Sequence, residues 1–326
     1  MAKTIFPAFW TPWLLESLIR KANILGMGFV DIDTAAPITK SGKVYHRPHT
    51  LNLENIAVAN KYIATTTLTP TQGTDSQENI VVCHFGDAYY ETEYDNIVRG
   101  DRAMDGYRKQ LADVVNNLIQ DWMCSMVKGV FATTLATSHT YDYTAIGDGL
   151  IGVDPIINAC QTKLGEDMSS MTGMIMHSKI QADMIKDSLI EYYDAATFGS
   201  EILYKGAKAV PTYQGMRIFV NDTLCAPTGE IGAYIYPTYV LKGQPFYLAW
   251  QRTLRTEMDR DILTGGGKDI LAWYVDFAPA IKYVSWVHTS YDPTAANLET
   301  GAYWEKVSGI NDKNIPIIRI LTKGMT

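Results

Sequence analysis

The apolar and polar positions are most ordered between Ala103 and Phe131, where Met104, Tyr107, Leu111, Val115, Leu118, Trp122 and Met126 recur in steps of three and four. Such steps keep side chains on one face of a helix. Val114, Ile119, Met123, Val127 and Val130 widen the stripe, and Arg108, Lys109, Asp113, Asn116, Asn117, Asp121 and Lys128 keep an opposite edge wet. Asp101 is placed to cap the first turn and Gly129 to loosen the last. At ~1.5 Å per residue a helix over 103–131 extends about 43 Å, which predicts a flattened or elongated protein built around it.

Upstream, Phe6, Phe9, Trp10 and Trp13 precede a short amphipathic pattern at Leu14, Leu15, Leu18 and Ile19. That much aromatic surface needs a partner, either the chain's own core or a neighbouring subunit. From Pro37 to Asp87 helical periodicity vanishes, and Lys43 to His49, Tyr62 to Leu68 and Ile80 to Phe85 favour extended structure. Gln72 to Ser76 supply turn chemistry between the last two runs. The pattern predicts a projecting β-hairpin that meets its partner on another chain.

Downstream, Thr133 to Gly152 reads as a loop. A second helix is predicted with Asp154 as cap and Pro155 at its first position, then a strand over Met171–Met176 and a third helix capped by Ser178. Strands are expected at 216–220, 231–239, 246–250, 270–287 and 315–321, with a short helix from Asn297. The class is α+β.

The chain has 326 residues and a formal charge of -7, so it carries no basic excess of the kind that drives duplex binding. Cys83, Cys124, Cys160 and Cys225 are far apart with no C-x-x-C pairing, which predicts packed thiols in a reducing compartment. Pro7, Pro12, Glu16, Arg20 and Lys21 break any secretion-signal pattern, and no stretch reaches the ~20 apolar residues of a bilayer span.

Candidate chemistry is sparse. His46 and His49, three apart in a predicted strand, point to opposite faces, as do the neighbours Cys83 and His84. His177-Ser178 joins a strand to a helix, where α/β proteins often place active sites, but the G-x-S-x-G elbow is absent. Gly265-Gly266-Gly267-Lys268 lacks Walker spacing and reads as a turn. Arg252, Arg255, Glu257, Asp259, Arg260 and Asp261 interleave both signs and read as a solvated face or an intersubunit ion-pair seam. No catalytic residue, cofactor site or metal site is predicted.

In order, Phe6-Pro7-Ala8-Phe9-Trp10, Pro48, Thr65-Thr66-Thr67, Gly100-Asp101-Arg102-Ala103-Met104 and Lys128-Gly129-Val130-Phe131 resemble the major capsid protein of tailed bacteriophages. Met176-His177-Ser178, Ser285-Trp286, Asp292-Pro293-Thr294, Asn297-Leu298, Trp304 and Asn314-Ile315-Pro316-Ile317-Ile318 continue the resemblance nearly to the end. It implies an N-terminal arm (1–36), an extended E-loop (37–90), a peripheral domain with the spine helix 103–131 (91–150 and 271–326) and an axial domain (151–270). The implied function is self-assembly into hexamers and pentamers of an icosahedral head around double-stranded DNA, in the host cytoplasm, with no membrane and no sequence-specific contact to the DNA. Implied partners are further copies of the chain, with portal, scaffold and decoration proteins. Two alternatives stand beside this reading: an encapsulin-like compartment shell, and a hydrolase using Ser178 and His177.

Overall fold

The computed structural model describes residues 28–33, 44–50, 75–94, 103–165, 170–193, 210–230, 233–263, 266–289 and 292–325. The aromatic run at 6–19, the expected strand Tyr62–Leu68, the Gln72–Thr74 part of the turn and the Asp101 cap lie outside these residues.

The first half of the chain contributes β1 (Val30–Asp33), β2 (Val44–Thr50), β3 (Asp75–Val81), β4 (Cys83–Thr92), the long α1 (Ala103–Ala132), β5 (Thr140–Asp142) and α2 (Val153–Leu164). Next come β6 (Met171–Met176), α3 (Ser178–Lys186), β7 (Glu191–Tyr193), β8 (Val210–Tyr213), β9 (Met216–Val220) and β10 (Ile235–Lys242). The last part holds a hairpin of β11 (Phe246–Asp261) and β12 (Lys268–Ile281), then β13 (Val284–Trp286), α4 (Ala295–Glu299), β14 (Trp304–Lys306) and β15 (Ile317–Lys323).

Two sheets share α1. A seven-stranded mixed sheet runs β5-β15-β10-β6-β9-β8-β7, and a four-stranded sheet runs β1-β11-β12-β4. Because side chains alternate along a strand, each sheet feeds two environments. In the seven-stranded sheet Ile175, Tyr239, Leu241 and Ile317 join the core containing α1. Their neighbours Met174, Met176, Val240, Ile318 and Ile320 pack instead with Ile156 and Leu164 of α2 and Ile180 and Met184 of α3. In the four-stranded sheet Leu271, Trp273, Val275 and Phe277 of β12 join the α1 core, where Phe85 meets Trp122 edge-on at 4.7 Å and stacks on Phe277 at 5.3 Å.

Several expectations change in the folded chain. The buried arc of α1 is rotated: Leu111, Val115, Ile119, Met123 and Met126 are buried as expected, but Asn116 is buried too and Val114 is 41 % exposed. Asn116 stands between Ala112 and Ile119 on the same arc, whereas Val114 falls on the far side of the turn. Gly129 does not loosen the helix, which continues to Ala132; it lets the Leu298 carbonyl press against the α1 backbone where a Cβ would stand. The run Ile80–Phe85 is not one strand. It breaks at Val82, so that β3 pairs with β2 and β4 with β12. Asp75 and Ser76, expected in a turn, pair with Thr50 and His49 as the start of β3. The expected loop 133–152 contains β5, held parallel to β15. Gly152, with no side-chain bond, precedes α2 in place of Asp154, and His177 rather than Ser178 caps α3. Residue 271 falls within β12, and β15 lies between β5 and β10 in the seven-stranded sheet.

Candidate assembly surfaces

Three segments bring the chain from the core toward its surroundings, and each has a distinct root. The first is at Phe29. Its ring occupies the space a Cβ would need at Gly173 of β6, its carbonyl accepts from the Phe246 amide at 3.3 Å, and β1 then runs parallel to β11. Asp31 pairs with Lys282 at 2.9 Å, and the Tyr247 hydroxyl donates to Asp33 at 2.7 Å. Phe29 and Val30 thus form a buried anchor at the start of β1.

The second root is the β2–β3 ladder, in register from Val44↔Val81 to Thr50↔Asp75. Ile80 and Val82 lie on Tyr247, Ala249, Ala278 and Ala280, with Tyr45 packed alongside, so the hairpin base covers the inner end of the face opposite α1. Glu78 is a buried carboxylate that accepts from the Tyr283 amide at 2.8 Å and from Arg47 at 3.3 Å. The Arg47 guanidinium lies 4.5 Å above the Tyr247 ring. This satisfied charge ties the hairpin base to the sheet, since a buried carboxylate without partners would be costly.

The third is the β11–β12 hairpin, whose strands were expected at 246–250 and 270–287 but whose outer part over 251–261 was not. Near Phe246–Ile281 both strands are buried; beyond Leu254 few positions are, and the pairing still continues to Asp261↔Lys268. Polar rungs hold this outer part: Arg260 with Glu93 at 2.5 Å and Asp269 at 3.6 Å, and Lys268 over the Tyr90 ring at 3.8 Å. Further in, Asp276 takes Arg252 on one side and His84 on the other, both at 3.1 Å. The acidic and basic run of 252–261 is thus largely paired within the subunit. Ile262 and Leu263 follow at the end of β11, 74 % and 91 % exposed. The available signal was the alternation of charged outward positions with Thr256 and Met258, matched by Leu271, Trp273 and Val275 across the glycine-rich turn.

The structure does bring Ser178 and His177 together, and adds Asp222. The arrangement is a helix start. Ser178 Oγ donates to Asp222 Oδ2 at 3.1 Å, and the Ser178 amide donates to Oδ1 at 2.7 Å. His177 Nδ1 accepts from the Lys179 amide at 3.0 Å, so the lone pair facing the serine is already engaged. A nucleophilic serine needs its proton directed to the imidazole and the imidazole oriented by the carboxylate. Here the carboxylate holds the serine directly. The Ser178 amide bond holds the Asp222 carboxyl below its usual range; partial burial opposes this, and the Ser178 hydroxyl and His177 reinforce it.

The thiols are equally unsuited to chemistry. All four are free and buried, and burial pushes Cys124 and Cys160 up to about 11 and holds Cys83 and Cys225 well above the ordinary thiol range. Cys83 and His84 do point to opposite faces, one into the core and one to Asp276. Among the described residues no group of three or more His, Cys, Asp or Glu side chains is placed to hold a metal, and no helix is long and apolar enough to cross a membrane.

No family model matches the chain. A curated relative, the major capsid protein of Bacillus phage SPP1, is 23% identical over 328 residues, covering 98% of this chain and 96% of the relative. Among solved structures, the capsid of Ralstonia phage GP4 aligns with a TM-score of 0.58 at 8% identity, covering 94% of this chain and 91% of that one. The cyanophage Pam1 capsid gives 0.57 at 10% identity, with 94% and 93% covered. The capsid of Helicobacter pylori bacteriophage KHP30 gives 0.54 at 9% identity, with 93% and 88% covered. At such identities the structures speak to the fold alone. The chain is similar along its whole length to a phage major capsid protein and has the mixed helix-and-sheet fold of the tailed-phage capsid proteins.

Proposed function

We propose that this chain assembles, through hexamers and pentamers, into the icosahedral head of a tailed phage that encloses double-stranded DNA, and that it does so in the host cytoplasm. The observation that carries the reading is the match to a relative named as a major capsid protein, which runs the length of both chains. The geometry supports it. The anchored β1, the β2–β3 ladder and the braced β11–β12 prong are three separate elements through which a subunit can meet its neighbours. Many modest contacts around closed symmetry make a shell cooperative.

In this reading residues 1–36 are the arm, 37–90 the E-loop, 91–150 with 271–326 the peripheral region, and 151–270 the axial region, with sheets shared between them. The net charge of -7 keeps the subunit from adhering to packaged DNA. Portal, scaffold and decoration proteins are the partners such a head requires. Electron microscopy of the purified protein tests the proposal: closed particles or capsomer rings are expected, and monomers under every assembly condition would overturn it.

A further inference from the structure

His139 is fully buried where the end of α1 meets the C-terminal strand, and both its ring nitrogens are engaged. Nε2 lies 2.8 Å from the Asp312 carbonyl, which only accepts, so Nε2 carries the hydrogen. Nδ1 is then the acceptor for the Ser138 hydroxyl at 2.9 Å. The backbone repeats the tie: the Arg319 amide donates to the His139 carbonyl at 2.8 Å, one residue before β5 pairs with β15. A neutral imidazole therefore joins the 133–139 turn to the 312–314 turn that leads into β15.

The charges around it come from every packed element. Lys163 of α2 reaches the Thr137 carbonyl at 3.0 Å, and Lys306 of β14 is paired with the Asp312 carboxylate at 2.6 Å. Lys313 lies against Gly165, and Arg319 of β15 donates to Thr140 Oγ1 at 3.1 Å. The Asp312 carboxylate thus already serves a lysine. Burial lowers the proton affinity of His139; Asp312, through its carbonyl and its charge, works against this, and Lys163 and Lys306 add to it.

We propose that His139 is an acid-release latch: a proton taken up at Nδ1 removes the acceptor of the Ser138 hydroxyl and places a charge in this closed junction, which must open to hydrate it, loosening the 133–139 turn and with it the entry of β15 into the central sheet. The latch belongs to the single subunit and stands or falls independently of the shell reading.

The test is hydrogen exchange on the full-length protein from pH 8 to 5, following peptides over 133–142 and 310–320, with thermal melts alongside. In the wild type, protection in both peptides, taken relative to the intrinsic exchange rate at each pH, should fall several-fold together as pH drops below the ordinary histidine range, and the melting temperature should drop. His139→Gln keeps an N–H for the Asp312 carbonyl and cannot take up a proton, so both responses should flatten. An unchanged acid response in that variant would overturn the latch. If the variant does not fold, NMR titration of His139 in the wild type decides: protonation that leaves the two peptides protected is equally fatal, and protonation coincident with their release supports it.

Discussion

The ring of Phe29 fills the space a side chain at Gly173 would need, so the root of the N-terminal segment and the middle strand β6 share one contact. Phe29 is 2 % exposed and sits in the α1 core, so this glycine is required for packing, not for a turn. Gly173→Val should displace the ring and destabilise the subunit by about 1–3 kcal/mol in urea unfolding, the usual cost of overpacking. In a Phe29→Ala background the same change should cost markedly less, because the clash is gone. Additive effects in that double-mutant cycle would show that the contact does not matter.

Gly129 offers a test in which propensity and packing oppose one another. In an exposed helix interior, glycine to alanine should stabilise by about 1 kcal/mol. At position 129 the Leu298 carbonyl occupies the site of the new Cβ, and that carbonyl is held by the Trp304 indole N–H at 2.8 Å. Gly129→Ala should therefore lower the melting temperature. A rise would mean that α4 yields readily.

Ser178 and Asp222 should behave as a helix-start device. Asp222→Ala is expected to cost about 1 kcal/mol, in the range of a lost cap, and Ser178→Ala somewhat less. Neither should alter ester hydrolysis above the buffer background. Because the folded Asp222 carboxyl is held below its ordinary range, its contribution is present above the unfolded-state value and is lost as pH falls through the folded one. Acid melts of wild type and Asp222→Ala should converge only below the usual carboxylate range.

The outer prong should matter to assembly and little to folding. Ile262 and Leu263 are exposed beyond the last paired residues, so replacing both with Asp should change subunit stability by no more than about 0.5 kcal/mol. Sedimentation and negative-stain images should nonetheless show a loss of particles. Normal particles from this variant would remove the tip from the contact surface.

Much of the fold was legible in the chain because its strongest elements carry their own periodicity. The spine at 103–131, the strand Met171–Met176, the helix after His177 and the C-terminal strand all emerged within a few residues of their observed bounds. Local chemistry also indicated that the four thiols are packed and that Cys83 and His84 point to opposite faces. Tertiary structure alone decided the pairings. Nothing local tells Val82 to separate two sheets, Asn116 to turn inward or Gly129 to receive a carbonyl from 169 residues later. Periodicity reports which face of an element avoids water, whereas the identity of the surface covering that face depends on contacts far apart in sequence, and those exist only once the chain has closed on itself.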